Sequence, residues 1–115
     1  MKIVFNSVAE FLELKGRLDS DWIEPAVRIT KMFTRGSQVP ISYVSVVAGY
    51  LRHQNGILLL TELKVPIGDY FEADEARRES VLANANELVD EITKACTVVG
   101  VETRAGFYKS TKEDE

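Results

Sequence analysis

Apolar and polar residues alternate in five stretches of the chain and recur with helical spacing in two others. The alternation predicts strands over residues 2–5, 26–35, 41–53, 57–67 and 101–108. The helical spacing predicts helices over about residues 8–18 and 72–99, and Ser7 with Glu10 forms a capping box before the first. The order β-α-β-β-β-α-β predicts an α+β fold. We expect a two-layer sandwich with a mainly antiparallel sheet and both helices packed on one face.

The third and fourth strands form the clearest unit, because Asn55-Gly56 between them is the preferred pair for a type I′ hairpin turn. A two-residue turn would place His53 opposite Leu58. One face of this hairpin collects the residues predicted for the core, which are Val44, Val46, Ala48, Tyr50, Leu63, Val65 and Ile67. Trp22 and Ile23, in the polar connection before the second strand, are expected to pack back onto that core.

The other face of the hairpin shows Val47, Leu51, Leu58 and Leu60 together. Contiguous apolar residues on an uncovered face usually mark an interface, so these four predict a homo-oligomer or another protein contact. The alternative is that the two helices lie on opposite sides of the sheet, in which case the four residues belong to the core.

Length and composition predict one globular domain, since 115 residues with 45% hydrophobic and 28% charged side chains suffice for a packed core. The domain is expected to span residues 1–108, followed by a disordered charged tail at 109–115. Cys96 is the only cysteine and cannot form an internal disulfide. No apolar run approaches a signal peptide or a membrane span. These features predict a soluble cytoplasmic protein.

Charge is unevenly distributed: residues 25–61 contain no carboxylate, although the chain has 18 acidic residues and a net charge of −4. The strand signals of that segment therefore coincide with its basic residues, which predicts an anion-binding sheet surface. Arginine suits phosphates and carboxylates, and tyrosine can stack on a base. The candidate ligand-binding residues are Arg28, Arg52, His53, Lys64, Tyr43 and Tyr108. The competing interpretation is that these cations only keep strand ends and edges solvated.

No pattern of residues specifies a reaction. His53 has no neighbouring histidine, cysteine or aspartate to act with it, and Cys96 lies on the apolar stripe of the second helix. Glu72, Asp74 and Glu75 fit the acidic first turn of a helix better than a metal site. We predict no catalytic residues, metal or cofactor. Whether the protein is an enzyme stays open, with a non-enzyme favoured, because an active site assembled between subunits would leave no local signature.

Three functions follow from these features. The first is a small non-catalytic module that sequesters or senses an anionic ligand, such as a nucleotide, at the basic sheet face or a subunit junction. The second is a protein-interaction adaptor or inhibitor, of the kind that phages and mobile elements encode. The third, binding of single-stranded nucleic acid, is less favoured because the chain lacks an aromatic-rich signature resembling the RNA-recognition motif.

Overall fold

The computed structural model describes residues 2–23, 26–35, 42–71 and 74–107. It is a mixed α+β structure with two helices and a six-stranded sheet, which confirms the predicted class. The elements are β1 (Lys2–Phe5), α1 (Val8–Arg17), β2 (Trp22–Ile23), β3 (Val27–Arg35), β4 (Ser42–Arg52), β5 (Leu58–Gly68), α2 (Glu75–Ala95) and β6 (Val98–Phe107). The connection at 36–40, between the second and third predicted strands, and the predicted tail at 109–115 lie outside the described residues.

The sheet has the strand order β1-β5-β4-β3-β6, and the short β2 pairs with the end of β4. The expectation of a mainly antiparallel sheet is wrong, because β1 runs parallel to β5 and β3 runs parallel to β6. The three other pairs, β2 with β4, β3 with β4 and β4 with β5, are antiparallel. Parallel strands need a long crossover connection, and the segment containing α2 supplies one between β5 and β6.

The β4–β5 hairpin forms as predicted, but its register differs by two residues. Leu51 lies opposite Leu58, where a two-residue turn would have placed His53. The Gly56 amide donates to the Arg52 carbonyl at 3.0 Å, and the Arg52 amide donates to the Ile57 carbonyl at 2.8 Å. A type I′ turn needs two residues with positive φ, but of these loop residues only Gly56 has it, at 67°. Because side chains alternate with a period of two, this shift leaves every residue that is still paired in β4 and β5 on its predicted face.

Both helices begin at side-chain caps. Ser7 accepts from the Glu10 amide at 3.5 Å, and Asp74 accepts from the Ala76 amide at 2.9 Å. The second helix is shorter than predicted, since α2 ends at Ala95 and its C-cap is Cys96. The helical apolar spacing continues as far as Val99, but the adjacent β-branched residues 97–99 favour a strand, and β6 starts at Val98.

One cluster of buried residues joins the helices to the sheet. The helices contribute Phe11, Val81, Ala85, Leu88 and Ile92. The strands contribute Val27, Ile29, Phe33, Val44, Val46, Ala48, Tyr50, Leu59, Leu63 and Ile67. These strand residues occupy alternating positions and define the buried face of the sheet, as the sequence predicted for the hairpin. The alternate positions of the same strands define the open face.

The last strand, β6, lies at an edge of the sheet and pairs with β3 alone. Its residues 99–106 are all exposed, on both faces of the sheet. The core therefore ends at β3 on this side. Among the described residues, neither helix has the length and apolar character that crossing a membrane requires.

Candidate functional site

The open face brings together all four residues that the sequence suggested as an interface. Val47, Leu51, Leu58 and Leu60 are 41–48% exposed and lie on adjacent strands. Gly49 lies among them, and a methyl group added there would come within 3.5 Å of Leu58 and 3.6 Å of Leu60. The side chains of Leu58 and Leu60 thus lie beside the bare backbone of Gly49.

Two further apolar residues enlarge this group. Val4 of β1 lies opposite Glu62 and is 55% exposed, while Ile23 of β2 lies opposite Leu51 and is 42% exposed. The expectation that Ile23 packs into the core is therefore wrong, although Trp22 does pack against the core's margin. The alternation of residues 2–5 contained the signal for Val4. Two residues of β2 are too few for a periodic signal.

We call the six residues Val4, Ile23, Val47, Leu51, Leu58 and Leu60 the apolar patch. It occupies the end of the open face nearest the β4–β5 loop, and its members are each 41–55% exposed. Scattered exposed apolar side chains are ordinary, whereas a contiguous group on a flat sheet is typical of a surface that another molecule covers.

The remainder of the open face is mostly polar, although Met32, Tyr43 and Pro66 form one less polar row across it. Arg28 lies opposite Val47, and the next row contains Lys64, Ser45 and Thr30 on adjacent strands. The ammonium of Lys64 lies 5.4 Å from the ring centroid of Tyr43, a cation–π distance. Three of the six predicted ligand-binding residues, Arg28, Lys64 and Tyr43, therefore share one surface with two hydroxyl groups.

Ion pairs flank these residues on both sides. Lys2 Nζ lies 3.4 Å from Glu62 Oε1, and Arg104 Nε donates to Glu102 Oε1 at 2.8 Å. The hydrogen bond and charge of Glu102 raise the pKa of Arg104 above its ordinary value. The open face thus has a mixed charge pattern in which cations outnumber carboxylates.

The other predicted ligand-binding residues lie elsewhere. Arg52 is on the buried-face side, where its Nη2 is 3.9 Å from Asp21 Oδ2 and its guanidinium carbon is 5.8 Å from the Trp22 ring centroid. His53 is exposed in the loop, and its backbone amide donates to the Asp21 carbonyl at 2.9 Å. Tyr108 lies outside the described residues. The six candidates therefore do not form one site.

A shallow depression between β5 and α2 has the wrong charge for an anion. Glu87 and Glu91 line it with Asn84, together with the apolar residues Val65, Pro66, Ile67 and Leu88. Cys96 is half-buried at the margin of the core. No group of three or more potential metal-ligating side chains occurs within the ranges that the structure describes.

Comparison with known proteins identifies no relative of this chain. The chain matches no protein-family model, no curated protein and no solved structure.

Proposed function

We propose that the protein is a non-catalytic protein-interaction module. In this proposal the two helices form one layer, the sheet forms a second, and the open face of the sheet docks a flat protein surface. The partner surface is apolar opposite the apolar patch and has a carboxylate opposite Arg28 and a cation opposite Glu62.

The observation that supports this function is the apolar patch. Leu51, Leu58 and Leu60 are each more than 40% exposed, although β4 is the middle strand of the sheet and β5 lies next to it. Covering apolar surface contributes about 25 cal/mol per Å², so a partner that packs on these side chains gains much of its affinity here. Polar residues at the border of the patch then supply orientation and specificity.

The charge distribution separates this proposal from binding of a polyanion. Arg28 and Lys64 share the open face with Glu62 and Glu102, so cations and carboxylates alternate across it. Such a pattern suits another protein surface of mixed charge, whereas a polyanion-binding surface is usually basic throughout.

The test uses tagged protein expressed in its cell of origin and quantitative mass spectrometry of whatever co-purifies, including untagged copies of the chain. Leu60→Asp places a carboxylate in the patch, and Leu82→Asp places one on α2, where Leu82 is 38% exposed. We expect a protein that the wild type and Leu82→Asp retain and Leu60→Asp loses, and that rebinds the purified wild type in a two-component assay. Equal recovery of every co-purifying protein with Leu60→Asp would refute the proposal.

A second candidate function is binding of a small anion at the polar part of the open face. Arg28 and Lys64 lie one row apart there, with the hydroxyls of Ser45 and Thr30 between them. Charge-assisted hydrogen bonds from such groups suit a phosphate. Titration with ATP, followed by NMR, should shift resonances of β3 and β4, and Arg28→Ala should weaken the response. Arg52→Ala is the matched control, since Arg52 lies on the other side of the sheet.

A further inference from the structure

The arrangement of residues on the open face suggests which protein surface covers it. We infer that the partner is a second copy of this chain, and that two open faces pack together about a two-fold axis parallel to β4. This inference rests on the proposed function and assigns its partner.

The position of β4 favours that axis. It is the middle strand in the order β1-β5-β4-β3-β6. A two-fold axis that runs above the open face, parallel to β4, therefore lays the whole open face of one copy over that of the other. A two-fold contact of this kind uses the same surface on both copies. Strands on one side of β4 then meet strands from the opposite side in the second copy, so β5 faces β3 and β2.

This axis makes the apolar patch complementary to itself. Leu58, Leu51 and Ile23 form one row across β5, β4 and β2. Rotation about this axis places Leu58 opposite Ile23 of the second copy. Leu51 and Val47 each lie opposite the same residue of the second copy. Most of the patch is thereby removed from water without any change in backbone conformation.

The charges of the open face are complementary in the same arrangement. Glu62 and Arg28 lie in one row on either side of Val47, about 10 Å apart at the usual strand spacing. At that distance the two side chains do not form an ion pair within one chain. Rotation about the two-fold axis places Glu62 of each copy opposite Arg28 of the other copy, so two such pairs form. Glu62 already contacts Lys2 of its own chain, and a carboxylate can accept a second cation.

No two like charges of the described open face coincide in this arrangement. Lys64 falls opposite Thr30 of the second copy. Lys2 lies on β1, and Glu102 and Arg104 lie on β6, at rows where the opposing edge strand has no residue. Aligned sheets cross at about 30°, so contacts are closest near the crossing point at Val47.

The open face has nearly the area of a standard protein–protein interface. Five strands at about 4.8 Å spacing and about 3.3 Å per residue give a face of roughly 700 Å² after allowance for the short β1. A standard interface buries about 800 Å² on each partner. The face therefore approaches the size of a specific contact.

The test is native mass spectrometry with light scattering, over about 1–100 μM purified protein, a range that detects micromolar affinity. We expect a dimer for the wild type and for Leu82→Asp. Leu51→Asp should be monomeric, because the two new carboxylates meet on the axis. Circular dichroism of each variant checks that it remains folded.

Charge exchange tests the axis itself. Glu62→Arg and Arg28→Glu each place like charges opposite one another, and each should weaken the dimer about tenfold or more. The double variant Glu62→Arg/Arg28→Glu should restore dimerisation, which a general loss of stability would not produce.

Three results would overturn the inference: a wild type that stays monomeric throughout this range, a dimer that survives Leu51→Asp, or a double variant without rescue. A monomeric wild type that still has a patch-dependent partner in the cell would leave the proposed function standing and refute only the identity of the partner. A monomeric wild type without any patch-dependent partner in the cell would refute the dimer and the proposed function.

Discussion

The two faces of β4 and β5 have similar residues but opposite surroundings. Val44 and Val46 are 0% exposed on the buried face, whereas Val47, the next residue along β4, is 42% exposed on the open face. On β5, Leu63 is 0% exposed and Leu60 is 41% exposed. Residue type therefore does not decide which face is core. The face that is core is the one whose residues cluster with the buried residues of α1 and α2, while apolar side chains of the open face stay exposed.

The largest expected difference in the free energy of unfolding is between Leu63→Ala on the buried face and Leu60→Ala on the open face. Removing a fully buried leucine leaves a cavity and should lower the free energy of unfolding by about 2–5 kcal/mol. The same change at a half-exposed leucine should cost less than about 1 kcal/mol. Urea denaturation at low micromolar protein, where dimerisation contributes least, measures both. Equal losses would mean that the open face is also core.

Glycines on the two faces should respond differently to replacement by alanine. Gly68 has φ of 114°, and an added Cβ would lie 2.9 Å from Val81 Cγ2, so Gly68→Ala should destabilise the fold by about 1–3 kcal/mol. An added Cβ at Gly49 would make ordinary contacts with two leucines. Gly49→Ala should be neutral or stabilise by up to about 1 kcal/mol. Thermal unfolding of both variants, under identical conditions, checks the sign of each effect.

Threonines give a smaller contrast. The Thr61 hydroxyl is buried and donates to the Ala48 carbonyl at 3.0 Å. Thr61→Val removes this hydrogen bond while preserving shape, and should lower the unfolding free energy by about 1 kcal/mol. Thr30→Val on the open face should change it by less than about 0.5 kcal/mol. A Thr61→Val variant as stable as the wild type would show that the hydrogen bond contributes nothing net.

The smallest expected difference in the free energy of unfolding is between Arg52→Ala and Arg28→Ala. Arg52 contacts Asp21 and the Trp22 ring at distances typical of weak, solvent-screened interactions, so Arg52→Ala should cost about 0.5–1 kcal/mol. Arg28 has no ion pair among the described residues, and Arg28→Ala should leave the unfolding free energy within about 0.5 kcal/mol of the wild type. Urea denaturation of both variants at low micromolar protein, where dimerisation contributes least, measures the difference. A larger loss for Arg28→Ala than for Arg52→Ala would contradict the prediction.

Strand periodicity allowed the two faces to be assigned from sequence even where the hairpin register was wrong. The predicted turn at Asn55-Gly56 and the observed loop differ by two residues in the pairing of Leu58. A difference of two preserves the side on which each side chain points, so the predicted core residues and the four residues predicted as an interface lie on the faces that the sequence assigned to them. A shift of one residue would have exchanged them.

Other features could not be read from the sequence. Apolar alternation looks the same in parallel and antiparallel strands, so the parallel pairing of β6 with β3 had no local signal. The end of α2 was missed because helical spacing and β-branched residues overlap before Val99. Ile23 was missed because β2 has only two residues.

The amino-acid sequence by itself determined the fold class, the apolar positions of the helices and the two faces of the hairpin, because these depend on local periodicity. Only the tertiary structure decided which distant residues share a surface. It separated Arg52 from Arg28 by the thickness of the sheet and added Val4 and Ile23 to the apolar patch. Strand order and pairing depend on contacts between residues far apart in the chain, and local patterns do not encode them.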